Sequence, residues 1–505
     1  MSVQTFTLYD MLLRNAAQFG ERPAVIHEGG RIGFGEFLNR VDALAAGLGA
    51  LGIRKGDRIC VLAQNHPAYL DLYGACAKLG VLAYPINWRL TADEVRHVVA
   101  RAEPTLMLVD DTTRPALADW PPDARIAHWY TVGSTPAGSF SAFDTLYVDG
   151  GGGGESEGVA GDDPFAVIST AAVDVIPRGA VLTHNNLMAA NLQTVACMGL
   201  GGSDCNLLAL PLFHIAALGA AFATMHVGGA NVLTARFDAA QAVKLIDAHN
   251  VTYLTSFPPV LSSILDAAKA AGSRLPSLKH VAGLEGPEGI GRLHAETDAQ
   301  FWIGYGQTET SGFITLQRAA ERPGAAGRVG PLCRVRLVDE FDREVPTGTP
   351  GEILARGFVV FRGYYGQPEE TQHTFRGGWH HTGDVGRFDE DGFLHYVGRK
   401  PEKELIKPGG ENVYPAEVET VIMEIQGVSA VCVFGVPDAQ WGEAIKAVVE
   451  SEDGELAAEG VIDHVAARIA RYKKPKWVEF TAALPRSEGG AIDREAVKSR
   501  WGGQD

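Results

Sequence analysis

The chain is poor in everything that would tie it to an oxidising compartment, a nucleic acid or a membrane. Its six cysteines in 505 residues are scattered, with neither CxxC nor Cys/His ligand spacing, which argues against a disulfide framework or a zinc site. Positive charge is short: 44 Lys and Arg against 61 Asp and Glu leave a net charge of -17. That offers no basic footprint for nucleic acid or anionic lipid, so anionic substrates have to be gathered by local positive sites. The start, MSVQTFTLYDMLLRNAAQFG, lacks a basic leader followed by an apolar run, and reads as a mature, cytoplasmic protein. One stretch, residues 215–233, is nearly apolar, but His226, Asn231 and the Gly228-Gly229 pair interrupt it and no charged anchors flank it. It predicts a buried helix followed by a strand, not a membrane span.

What is present is an alternation of strand and helix patterns. VIHEGGRIGF reads as a hairpin, FGEFLNRVDALAAGLGALGI as an amphipathic helix, DRICVLAQN as a strand and AYLDLYGACAKLG as a second helix. VLAYPIN is strand-like, and in the helix after it Thr91 and Glu94 form a capping-box pattern. PTLMLVDD adds another strand, and continuous apolar strands separated by helices predict parallel sheets covered on both faces. The run from Gly150 to Gly154 is too glycine-rich and polar to pack and reads as a surface loop. A dense charge run, RKPEKELIK, after Gly398 marks an exposed linker. The expected organisation is therefore an α/β chain with a large N-terminal domain, residues 1–398, and a smaller C-terminal domain, residues 399–505.

Three segments carry residue types suited to chemistry. FAVIS runs into TAAVDVIPRGAVLTHNNL, where Thr170 offers a hydroxyl and Arg178 a planar donor for phosphate oxygens; taken alone, the segment reads rather as a plain strand-to-helix turn, because the glycines that wrap a phosphate are missing. FWIGYGQTETSG brings Tyr305, Thr308 and Glu309 into one polar loop, with Glu309 a candidate magnesium ligand and Thr308 a phosphate donor, or else a solvated turn. In GGWHHTGDVGRFDEDGFLHYVGRK, Asp384 is placed to accept ribose hydroxyls. His380 and His381 are neighbours on a strand pattern, point to opposite faces and cannot share one metal, and Asp391-Gly392 reads as a hairpin turn.

Taken in order with PINWRLTADEV, LPLFH, GEILARGFVVFRGYY, GGENVYPAEVE, GVPDAQWGE, YKKPK and LPRSEGGAIDR, these segments resemble the adenylate-forming superfamily of acyl-CoA synthetases, luciferases and peptide-synthetase adenylation domains. The resemblance covers nearly the whole chain. It implies ATP, Mg2+ and coenzyme A as reactants and cofactors, a small-molecule carboxylic acid as substrate, and a small α+β domain that rotates between two poses. It implies that Thr308 holds the α-phosphate, Glu309 the magnesium, and Asp384 and Arg399 the ribose. Gly283, Leu284, Glu285, Tyr305, Gly306, Gln307 and Tyr396 would frame the nucleotide, and Thr170 and Arg178 its phosphates. His214, Ala216 and Ala217 would edge the acyl pocket. Gly409, Gly410 and Glu411 would guide coenzyme A, and Lys400 or Lys403 would be the hinge. A homodimer is common in such proteins, though no patch here identifies a contact.

Two departures from the family pattern stand out. The phosphate loop reads STAAVDVIPRG, with Arg178 where lysine is usual, and the last motif places Ala491 where the family keeps a catalytic lysine. That lysine bridges the substrate carboxylate and α-phosphate, and losing one such contact costs about two to three orders of magnitude in rate. With every neighbour retained, Ala491 reads as a targeted replacement that impairs adenylation and leaves thioester formation; the rival is decay into a silent binder of acyl groups or nucleotide. A stand-alone adenylation domain serving a carrier protein is a further alternative. The Ala- and Gly-rich residues 215–224 suit a fatty chain or an aromatic acid equally.

Overall fold

A computed structural model of the chain describes residues 5–117, 126–133, 138–148, 156, 158–170, 178–400, 404–451, 456–487 and 492–503. The loop expected at Gly150 to Gly154 lies outside these. The hairpin Pro23–His27 and Gly30–Gly33, the helices Phe34–Ala50 and Pro67–Leu79 and the strands Arg58–Leu62, Leu82–Pro85 and Leu106–Asp110 all form where the sequence pattern puts them. The capping box is present: the Thr91 hydroxyl accepts from the Glu94 amide at 3.4 Å, and the Glu94 carboxylate accepts from the Thr91 amide at 2.7 Å. The apolar stretch after His214 divides into helix Ile215–His226 and strand Ala230–Leu233, and among the described residues no helix is long and apolar enough to cross a membrane.

Two eight-stranded sheets carry the large part. In the first, Pro164–Thr170, Leu82–Pro85, Arg58–Leu62, Leu106–Asp110, His128–Val132 and Ser141–Ala142 run parallel, as the apolar strands predict. One end of this sheet differs from expectation. Arg178–Thr183 is not a turn into a helix but a strand antiparallel to Pro164–Thr170, and only then does Thr183 cap helix His184–Met198. The run GAVLT fills a buried antiparallel position with small and β-branched residues, and the pairing sets Thr170 directly opposite Arg178.

The second sheet is parallel through Pro23–His27, Ala230–Leu233, Cys205–Leu208, Tyr253–Ser256, His280–Gly283 and Gln300–Ile303, with an antiparallel strand at each edge. Helices Pro67–Leu79, His184–Met198 and Ile215–His226 share one core with strands of both sheets. Phe165, fully buried, anchors it against Tyr73, Phe222 and His184 at ring separations of 5.8, 6.1 and 5.3 Å. A four-stranded antiparallel sheet, Cys333–Val338, Gly351–Gly357, His380–Phe388 and Leu394–Arg399, follows.

Beyond Arg399 a separate three-stranded sheet, Val428–Asp438, Gly442–Ser451 and Trp477–Thr481, is filled on both faces. Val431 and Val433 pack with helices Pro415–Ile422 and Ala458–Arg468, while Cys432 and Phe434 pack with Val497 of helix Arg494–Trp501. That alternation is the period-two pattern of a strand buried on both sides. Truncating the shared core of the large part, Phe165→Ala, is expected to cost about 3–5 kcal/mol; a urea unfolding midpoint equal to that of the unaltered chain would contradict this packing.

Candidate active site

Four of the six parallel strands of the second sheet end at one cleft of about 1570 Å³. Its lining includes Ala209 and Leu210 after Cys205–Leu208, Phe257 after Tyr253–Ser256, Leu284 after His280–Gly283 and Gly304 after Gln300–Ile303. The carboxyl ends of parallel strands are where open α/β sheets place ligands. Gly283 closes its strand at φ 149°, and a Cβ there would stand 1.8 Å from the Ser256 carbonyl oxygen, so only glycine lets the two strands approach at the cleft floor.

The centre of the cleft is a carboxylate clasp. Asp384, buried, accepts from the Tyr305 hydroxyl at 2.6 Å and from the Gln307 amide on one oxygen. Its other oxygen meets Arg399 Nε at 3.0 Å and the Tyr396 hydroxyl at 3.4 Å. Burial and the Asp384 charge together push the Tyr305 phenol far above its ordinary range, and Asp384 holds Arg399 firmly protonated although burial alone would lower it. The Tyr305 and Tyr396 rings stack 6.1 Å apart.

Beside the clasp, Thr308 and Glu309 form a 3-10 turn reached through Gly306 and Gln307. One Glu309 oxygen accepts from the Tyr364 hydroxyl at 3.0 Å. Arg178 pairs with Glu370 at 2.7 Å and lies over the Tyr364 ring, so the hairpin of Thr170 and Arg178 meets the Glu309 turn through one tyrosine. Among the described residues no group of three His, Cys, Asp or Glu side chains could hold a metal by itself. A single cleft-facing carboxylate with one oxygen outside the Tyr364 bond fits Mg2+, which is commonly held by one or two carboxylates together with substrate phosphate oxygens. Glu285, pushed up by burial, uses one oxygen on the Gly286 amide and leaves the other without a partner.

The acyl side follows helical periodicity. Ala216 lines the cleft with Gly219 and Ala220, three and four residues on. Ala217, expected beside Ala216, turns instead into the shared core, because neighbours on a helix project about 100° apart. His214, at the N-cap of that helix, reaches Glu411 at 3.3 Å. Glu411 also takes Arg89 at 2.8 Å and Asn87 at 2.9 Å, and these partners hold its carboxyl below the ordinary value against the opposing effect of burial. Gly409 and Gly410 stand on the same loop, against Trp441 and Phe257.

The 409–415 loop therefore faces the cleft, whereas the described residues of the last motif, 485–487 and 492–494, are not in its lining. Ala491 and Lys403 lie outside the described residues. Lys400 is fastened to the four-stranded sheet twice, its amide to the Gly383 carbonyl at 2.9 Å and its ammonium to Glu352 at 2.6 Å. The adjacent histidines serve different partners, as their opposite faces require: His380 sits by Thr374 and Gln307, His381 by Glu352. Sequence reading assigned no role to Arg89, Phe257 or Lys407, all of which line the cleft. Arg89 and Lys407 lay inside or beside recognised motifs, while Phe257 carries no local signal at all.

A strand-end cleft with this polar clasp suits a nucleotide, and comparison with known proteins identifies the family. The pattern of the AMP-binding enzyme family matches residues 12–365, and that of the AMP-binding enzyme C-terminal domain residues 417–491. The chain is 35% identical over 500 residues to a feruloyl-CoA synthase of Amycolatopsis sp, covering 97% of this chain and 98% of that one. It is 31% identical over 464 residues to a long-chain-fatty-acid–CoA ligase of Mycobacterium tuberculosis, covering 90% of each. A solved o-succinylbenzoate CoA synthetase from Bacillus subtilis, a double mutant bound with its product analogue, superposes with a TM-score of 0.85 at 25% identity over 98% of this chain and 99% of that one. The chain belongs to the AMP-binding enzyme family, among its acyl- and aryl-CoA ligases.

The anchoring of Lys400 gives a pH signature. His381 and Lys400 overcome burial and hold Glu352 at about 2 instead of 4.5. A depressed carboxyl stabilises the fold above its unfolded value and loses that contribution as pH falls toward its folded value. Glu352→Gln is expected to flatten the loss of stability between pH 4.5 and about 2; an acid limb as steep as that of the unaltered chain in thermal unfolding would refute the coupling.

Proposed function

We propose that the chain joins a hydrophobic carboxylic acid, a fatty chain or an aromatic acid, to coenzyme A through an acyl-adenylate. The observation that carries this reading is one cleft holding three things at once: the Thr308, Glu309, Asp384 and Arg399 set, the small-residue wall of Ala216, Gly219 and Ala220, and the Gly409 to Glu411 loop. In the first half-reaction a carboxylate oxygen of the acid attacks the α-phosphorus of ATP. The bond to the β-phosphate oxygen breaks and pyrophosphate leaves with the electron pair. In the second, the coenzyme A thiolate attacks the acyl carbonyl carbon and AMP departs as a stabilised phosphate.

In this reading Glu309 holds Mg2+, which when bound supplies positive charge to the phosphate oxygens. Thr308 donates to the α-phosphate. Asp384 and Arg399 orient the ribose, the hydroxyls sharing the oxygen now met by Tyr396. Glu411, locked to His214 and Arg89, holds the 409–415 loop where pantetheine enters, and the segment after Arg399 swings about Lys400 or Lys403 between the half-reactions. The chain through Arg399, the last residue of strand Leu394–Arg399, and the part beyond it then act as the two moving units.

Ala491 offers no cation at the position where the family keeps lysine, so adenylation is the slower half-reaction and thioester formation is intact. Ala491→Lys is expected to raise acid-dependent pyrophosphate release by about two to three orders of magnitude, without a matching rise in thioester formation from supplied acyl-adenylate. Measured on a panel of hydroxycinnamic, benzoic, medium-chain and long-chain acids, the restored chain should prefer apolar members. Equal rates with and without the lysine would remove Ala491 as the limiting position.

A further inference from the structure

Helix His184–Met198 carries three buried side-chain amides, and two of them are engaged at both ends. Asn186 accepts from the Thr183 amide at 2.9 Å and donates to the Phe358 and Val360 carbonyls at 2.8 Å each. Gln193 donates to the Phe313 carbonyl at 2.6 Å and accepts from the Leu332 amide at 3.1 Å. Asn191 stands between them in the chain. It is 1% exposed, and neither its oxygen nor its nitrogen has a hydrogen-bond partner among the described residues. A buried amide left in this way costs the fold, where an apolar side chain of the same shape would not.

Asn191 lines the cleft, and so does Thr194 one helical turn on. Their helix packs in the shared core against Ile215–His226, the helix whose Ala216, Gly219 and Ala220 form the small-residue wall. Ala220 in turn clusters with Tyr253, whose hydroxyl lies 3.1 Å from that of Thr255, so those two groups serve each other. The open amide therefore belongs to the cleft face that adjoins the small-residue wall. The torsion that turns an Asn amide is soft, and the group reorients toward a ligand atom entering beside it at little cost.

We propose that Asn191 selects, among hydrophobic acids, those that carry one hydroxyl on the part of the molecule lying against this helix. This rests on the acid-CoA ligase reading. An amide offers both donors and an acceptor, and a hydroxyl answers both with one atom. None of the elements around Asn191, helices His184–Met198 and Ile215–His226 and strand Tyr253–Ser256, carries a Lys or Arg. A second carboxylate there would be buried without a counter-ion, so the selected group is neutral. The body of the acid stays apolar, as the wall of small residues requires, and either an aromatic or an alkyl frame presents the hydroxyl.

The test uses the unaltered chain with supplied acyl-adenylates and coenzyme A, so it does not depend on adenylation. kcat/KM for thioester formation is compared in matched sets: para- and meta-hydroxycinnamoyl-adenylate against cinnamoyl-adenylate, and ω-hydroxydecanoyl-adenylate against decanoyl-adenylate. A hydroxylated member is expected to lead its unsubstituted partner by about ten- to a hundredfold, and the set in which it does so identifies the frame. Asn191→Leu should abolish that lead by slowing the hydroxylated adenylate and speeding its partner, while the thermal unfolding midpoint stays at or above that of the unaltered chain. Thioester formation without preference for the hydroxyl in either set, or a preference that survives Asn191→Leu, would overturn the role of Asn191 and leave the ligase reading standing. A lower unfolding midpoint with equal loss for both members would make the amide structural and overturn it as well. If no adenylate is converted, the ligase reading falls and this assignment with it.

Discussion

The buried carboxylate of Asp384 is the constraint on which the arrangement of the cleft depends. A charge held away from water has to be matched by donors on every side, and its donors come from separate parts of the chain: Tyr305 and Gln307 beyond the last parallel strand of the second sheet, Tyr396 and Arg399 from the closing strand of the four-stranded sheet. Satisfying that one group brings these elements to a common point. Arg399 is also the last residue of its strand, immediately before Lys400 and the linker. The same contact that organises the cleft therefore fixes where the remainder of the chain departs from the large part.

The rest of the cleft repeats this logic. In a chain with a net charge of -17, the cationic side chains at the cleft are mostly held in place by carboxylates, which orient them at the cost of part of their free charge. Glu352 gathers Lys400 and His381, Glu370 takes Arg178, and Glu411 takes Arg89 and His214. Such pairs position groups more than they attract ligands. Among the described Lys and Arg side chains of the cleft, Lys407 makes no such pair. Its loop belongs to the part of the chain beyond Arg399, so where that charge stands is coupled to how that part sits.

Much of the scaffold was legible before any coordinates because its signals are local. The hairpin at Pro23–His27, the capping box of Thr91 and Glu94 and the division of residues 215–233 depend on patterns a few residues long. Two expectations failed for reasons equally physical. Arg178–Thr183 forms a strand because Pro164–Thr170 offers an open antiparallel partner, which no short window reveals. Ala217 leaves the acyl wall because the orientation of its helix is set by packing against Phe165 and Tyr73 in the shared core, not by its own composition.

What the sequence determined by itself was the family-wide order of motifs, the identity of Thr308, Glu309 and Asp384 as chemical candidates, and the presence of alanine at position 491, since each is a statement about residue type and spacing. Tertiary structure alone decided which cations are already paired, that Asp384 is shared among four donors, and that the 409–415 loop, not the described residues of the last motif, lines the cleft. Charge pairing and burial are properties of distances between residues hundreds of positions apart, such as His214 and Glu411 or Arg89 and Glu411. Those distances exist only once the two large sheets and the three-stranded sheet have packed.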